Sequence, residues 1–245
     1  MRYRYVPILL ILLLSLAACG SNASQDATSS QAIAQAPKCQ SSLTVTSTAS
    51  TAPVQSYSHK MNMGPHMLMS ANRPATADDM ARIEAIVANA HVCFDRYRDY
   101  HLAFHDGYQI FAPDVAQDVY HFASVQNFQE AQTTFDLAHP SALLYRKAGN
   151  SWQFVGVMYS APANATMDQL NAEIPIGVAP WHLHVNICLP AGDGGEKTLF
   201  GPGSLFGLSG TITTQAQCGK VGGTFYAQMY GWMVHIPLFG SVGIG

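Results

Sequence analysis

His182 and His184 lie one residue apart in Pro-Trp-His-Leu-His-Val-Asn-Ile-Cys-Leu-Pro, residues 180–190, a run otherwise dominated by apolar side chains. Successive side chains of a β-strand point to opposite faces. The run therefore predicts Trp181, Leu183, Val185 and Ile187 on a core face and His182, His184 and Asn186 together on the other. Two such imidazoles stand about 7 Å apart along the strand, a gap one metal ion bridges when the rings tilt inward. His235 in Gly-Trp-Met-Val-His-Ile-Pro and His121 in Val-Tyr-His-Phe-Ala have the same aromatic and aliphatic escort. Burying an imidazole without a partner is costly, so histidines in such runs are either hydrogen-bonded or part of a site. His121, His182, His184 and His235 are the candidate ligands of one ion, copper or zinc, both of which accept imidazole nitrogen. The competing reading is four separate core or surface histidines whose rings do not converge.

A second group lies in His-Lys-Met-Asn-Met-Gly-Pro-His-Met-Leu-Met-Ser, residues 59–70. Gly64 and Pro65 break any regular helical stripe, and thioether sulfur is a soft donor suited to Cu(I). Met61, Met63, His66, Met67 and Met69 form a candidate secondary copper site and place copper ahead of zinc. Such a site should lie near the mouth of the histidine cluster. Methionine packed as adaptable filler along a strand edge is the alternative. His139 precedes Pro140 in a predicted loop, and His101 and His105 sit near a predicted helix end, where an electrostatic role suffices.

Signatures of other chemistry are missing. There is no His-Glu-x-x-His and no Gly-x-Ser-x-Gly, and the Gly-rich stretch 191–203 lacks the closing Gly-Lys-Ser/Thr of a phosphate-binding loop. Catalytic residues stay unassigned. The same histidines would support metal-dependent hydrolysis or copper oxidation if a coordination position were open, with Glu173 available as a base. A net charge of −3 and no clustered basic patch argue against nucleic acid as a partner.

The N-terminus has Arg2 and Arg4, an Ile/Leu-rich run from Val6 to Leu16, and then Leu-Ala-Ala-Cys. The run is too short to span a bilayer as a mature helix, which needs about 20 residues, and reads as an export signal. Its ending resembles the bacterial lipobox. That resemblance implies removal of residues 1–18, lipidation (palmitate) of Cys19 and a membrane contact through the lipid. Gly20 in place of the usual retention Asp implies the outer membrane, facing the periplasm or the exterior. Residues 19–58 are rich in Ser, Thr, Ala and Gln, cannot bury enough apolar surface to offset ordering, and read as a tether with a reach of about 35 Å.

Residues 59–245 fit one domain. Besides Cys19, the cysteines are Cys39, Cys93, Cys188 and Cys218, an even set that favours disulfides in an oxidising compartment. Cys188–Cys218 would staple the Gly-rich loop and Cys39–Cys93 would tie the tether to a helix; a free buried Cys93 is the alternative.

Thr76 caps a predicted helix, with Asp78 and Asp79 in its first turn. Met80, Ile83, Val87, Ala90, Phe94 and Tyr97 keep a three-four spacing along it, and the expected end is Gly107. A strand within Asp-Val-Tyr-His-Phe-Ala-Ser, residues 118–124, a short helix at 124–132, a hairpin within 141–162, a helical patch at 167–172 and strands within 180–190 and 223–239 follow. One long helix, minor helices and about five strands predict an α+β domain with a small, mainly antiparallel sheet.

Phe-Asp-Leu-Ala-His-Pro-Ser-Ala-Leu-Leu-Tyr, Pro-Trp-His-Leu-His-Val-Asn-Ile and Tyr-Gly-Trp-Met-Val-His-Ile-Pro together resemble an uncharacterised family of bacterial exported proteins and lipoproteins with W-H-x-H-x-N and G-W-M-x-H motifs. The resemblance covers the chain from about Met61 onward. It implies the domain boundary and no particular chemistry.

Overall fold

The computed structural model describes residues 37–44, 64–192 and 204–239. They belong to one compact unit beginning at Pro37, an α+β domain with seven strands in an antiparallel sheet. The strands are β1 (Met67–Met69), β2 (Gln109–Ile110), β3 (Tyr120–Ala123), β4 (Ala142–Ala148), β5 (Ser151–Ala161), β6 (His182–Leu189) and β7 (Thr224–Pro237), in the spatial order β1-β6-β7-β5-β4-β3-β2. Two more strands are present than the sequence pattern predicts, the short edge strands β1 and β2. The strand nearest the C-terminus, β7, lies between β5 and β6.

α1 (Ala77–Phe94) begins where the sequence places it. Thr76 accepts from the Asp79 amide while the Asp79 carboxylate takes the Thr76 amide, a reciprocal cap. Its Ile83, Ile86, Ala90 and Phe94 are buried against Leu143, Val157, Leu183, Trp232 and Val234 of the sheet, and each large apolar side chain so buried contributes about 1.5–3 kcal/mol. The helix is shorter than predicted. A 3-10 turn (Asp95–Arg98) follows, Asp99 is extended, and α2 (Tyr100–His105) restarts with Asp99 capping the His101 amide. Asp in its capping role competes with helix continuation. Three short helices complete the set among the described residues: α3 (Val125–Glu130), α4 (Met167–Glu173) and α5 (Gln215–Lys220). α5 has no counterpart in the sequence reading.

Both expected disulfides form, Cys39–Cys93 and Cys188–Cys218. The first holds residues 37–44, assigned to the tether by composition, onto α1, where Leu43 packs against the core and Asn89 exchanges hydrogen bonds with the Gln40 backbone. Residues 1–36, which include the export signal and Cys19, lie outside the described residues. Among the described residues no helix is long and apolar enough to cross a membrane.

β3 and β7 are separated by β5 and β4. In a flat sheet they would stand about 14 Å apart, too far for two imidazoles to touch. Yet His121 of β3 and His235 of β7 meet at 3.1 Å. The sheet therefore curls, with α1 on the outer side and the histidines on the inner. Phe111, just after β2, and Leu208 pack on Ile187, Met229 and Tyr230 and close over the inner side.

Candidate metal centre

The register carries the four histidines to one face. His182 is opposite Met233 on β7, Met158 of β5 is opposite His235, and His121 is opposite Leu144 on β4. Directly opposed residues of an antiparallel pair point to the same side. Leu144, Ala142, Met158 and Met233 form an apolar cluster of their own, separate from the α1 core, and floor this inner face.

The rings form a continuous chain. His121 and His235 have ring centres 5.2 Å apart, His235 and His182 5.2 Å, and His182 and His184 5.5 Å. Tyr230 stands edge-on to His184 at 6.3 Å, and Phe111 abuts Tyr230. His182, His235 and His184 are buried and His121 half-buried. Nδ1 of His182 and Nδ1 of His184 are buried without a hydrogen-bond partner. Such atoms call for an explanation, an ion among them.

Burial favours neutral rings. Desolvation, then the charge of His184, lowers His121 to about 4. Desolvation likewise lowers His184 to about 4, a hydrogen bond to the His66 backbone opposing it, and places His182 well below the usual range. A neutral imidazole has a lone pair to give and no proton to lose on binding an ion.

The spacing suits a shared ion. With metal–nitrogen bonds of about 2.0–2.1 Å, the ring centres of two tetrahedral imidazole ligands lie about 5.2 Å apart. The rings are not already set around a common point: among the described residues no group of three or more His, Cys, Asp or Glu side chains stands in ready ligand geometry. His121 and His235 instead share a ring-to-ring hydrogen bond. Imidazole χ2 is a broad torsion, so reorienting the nitrogens costs little beyond that bond.

One part of the face assignment from sequence alternation needs correction. Asn186 has φ 59° and is skipped by the β6–β7 pairing. The left-handed residue resets the alternation, so Ile187 joins Phe111, Leu208 and Met229 rather than the α1 core, and Asn186 turns away to donate to the Pro65 carbonyl.

The Met/His segment divides. Met61 and Met63 lie outside the described residues. Met67 pairs with His184 and Met69 with His182, so the edge strand carries both thioethers beside the histidines. His66 is engaged differently. Nδ1 and Nε2 lie 3.0 and 2.7 Å from the carbonyl oxygens of Asn186 and Gly210, which makes it a brace between β6 and the segment over the inner face.

Glu173 is not brought to the site. It ends α4, whose Leu170 and the following Ile174 pack into the α1-side core; there burial raises its carboxyl to about 7. His139 lies with Glu130 and Asp136 on a shallow groove of about 230 Å³ whose lining includes none of the four histidines. His101 and His105 pair with Asp99 and Asp106.

Sequence reading missed Met158, Met229, Met233, Tyr230 and Phe111. Met233 was within reach, being two residues from His235 and hence on its face. The others depend on strand pairing, which one sequence does not specify. No family model, curated protein or solved structure matches this chain.

Proposed function

We propose that this protein binds a transition-metal ion, copper ahead of zinc, through His182, His184, His235 and His121. The observation that carries the reading is the chain of four imidazoles on one curled sheet face, with ring centres 5.2–5.5 Å apart and two buried Nδ1 atoms without protein partners. Four imidazoles in an apolar niche supply neutral, borderline-soft nitrogen donors. An ion would offset the cost of burying their unpaired polar atoms.

Holding the ion is favoured over hydrolysis or oxidation at the same site. Catalysis needs an open coordination position. Three of the rings are buried, Tyr230 standing edge-on to one of them, His184, and the helix that ends at Glu173 packs through Leu170 into the α1-side core. We read the domain as the soluble part of a lipid-anchored envelope protein because of the N-terminal Leu-Ala-Ala-Cys, and metabolic palmitate labelling with a Cys19→Ser control tests that anchor.

The deciding experiment is metal analysis of the purified protein beside a His182→Ala/His184→Ala variant. Metal retained by the protein and lost by the variant is expected; equal content in both overturns the proposal.

A further inference from the structure

The histidines are not merely near methionines; they are paired to them in register. His182 stands between Met69 of β1 and Met233 of β7, His184 between Met67 and Met229, and His235 opposite Met158. Cβ atoms of directly opposed residues are about 4.5–5.5 Å apart. From that separation an unbranched thioether and an imidazole on the same face can bend toward one point between them. We infer that the ion is Cu(I), held by mixed imidazole and thioether ligation, with Met158 and Met233 as inner sulfur ligands and Met67 and Met69 as the way in. This inference rests on the histidine metal site proposed above and names the ion and the remaining donors.

Three observations support it. Exposure falls along the path: Met69 is 37% exposed on the edge strand and Met67 is half-buried, while Met233 and Met158 are at 6% and 8%. Nδ1 of His182, in a ring 2% exposed and flanked by Met69 and Met233, lacks a hydrogen-bond partner. Leucine would fill an apolar floor equally well, and methionine as simple filler has no reason to take the cross-strand partner position of three histidines. The donor set discriminates between ions. Soft thioether sulfur binds Cu(I) well, whereas Zn(II) is served by imidazole, thiolate and carboxylate. Thioethers also carry no proton, so binding at the rim needs no deprotonation.

The test compares the full-length protein with a Met158→Leu/Met233→Leu variant and a Met67→Leu/Met69→Leu variant. Leucine keeps bulk and apolarity and removes sulfur. Cu(I) affinity is measured anaerobically by competition with bathocuproine disulfonate, and Zn(II) affinity with a chromophoric chelator. The inner variant should lose about tenfold or more in Cu(I) affinity while Zn(II) affinity, which also reports an intact fold, stays within about twofold. The outer variant should take up Cu(I) more slowly with little change at equilibrium. Copper-edge X-ray absorption of the unmodified protein should show sulfur scatterers at about 2.3 Å beside nitrogen.

An all-nitrogen copper shell, or unchanged Cu(I) affinity in the inner variant, overturns the thioether inference and leaves the histidine site standing. Failure of the unmodified protein to bind either ion overturns the histidine site itself.

Discussion

His184 faces Met229 across β6 and β7, two residues short of the partner that the register of Leu183 with Trp232 would give it. The two extra residues are Tyr230 and Gly231, both left-handed at φ 65° and 72°. They bulge β7 beside the site, turn Tyr230 onto the His184 ring, and bring the Gly231 backbone against Ala161.

Replacing Gly231 tests whether that bulge sets the site. A Cβ there would stand 2.4 Å from the Ala161 carbonyl oxygen, and the backbone angle disfavours any side chain. Gly231→Ala should cost roughly 2–4 kcal/mol, read as a lower denaturation midpoint, and should weaken metal binding with it. Gly149→Ala, at φ 60° in the β4–β5 turn with open space around the added carbon, should cost only about 1 kcal/mol and spare the site.

Acid should act on the metal-free protein in a defined window. His121 and His184 sit at about 4 when folded against about 6.5 when unfolded. Between those values the unfolded chain binds more protons, so stability is fully present above about pH 6.5 and is lost as pH falls toward 4. Each group contributes on the order of 3 kcal/mol to that slope. Urea midpoints taken from pH 8 to 4 should fall mainly below 6.5, and His121→Gln should flatten the fall. A profile level down to pH 4.5 would contradict neutral burial of the rings.

Asp79 defines a second, lower window. Its carboxylate is 2% exposed, bound by Arg73 and the Thr76 amide, and held at about 2, first by the Arg73 hydrogen bond. The stability it contributes is present above its unfolded value near 3.9 and lost as pH falls through 2. Arg73 also reaches Asn171 and so joins α1 to α4. Asp79→Asn should cost about 2–4 kcal/mol at neutral pH without changing metal content, which separates helix capping from the site.

The Cys188–Cys218 bridge closes a 30-residue separation and should stabilise by about 3–4 kcal/mol. Its two sulfurs pack with Ile212 and Phe206, which leads directly into the segment carrying Leu208 and Gly210. A Cys188→Ala/Cys218→Ala variant should melt lower and, on the copper site proposed above, release Cu(I) faster, because the segment braced by His66 loses its staple. Dissociation rates equal to those of the unaltered protein would show that the segment does not retain the ion.

Much of this was legible in the residues themselves. Alternation placed Trp181, Leu183 and Val185 opposite His182 and His184, and the Thr76–Asp79 pair marked the start of α1. These are local signals, set by strand pleat and by capping chemistry. What stayed hidden was long-range or conformational. Asn186 adopts a left-handed backbone that no alternation rule anticipates, and α1 gives way at Asp95 to a 3-10 turn, with Asp99 capping a new helix, where the apolar stripe would have continued the first. The contact of His121 with His235 depends on sheet curl, and the pairing of Met158 with His235 depends on which strand neighbours which.

The position of β7 has a consequence for how the protein comes into being. Among the described strands the one latest in the sequence is not added to a finished sheet; it fills the gap between β5 and β6, and it brings His235. A chain interrupted before Thr224 therefore lacks the middle of its sheet, with two unpaired edges where one strand should be, and has at most three of the four imidazoles. Contacts this distant in sequence form slowly because chain closure must precede them. On the proposed site, ion capture would thereby be coupled to the making of β7: a chain that stops short of it presents no assembled group of four imidazoles.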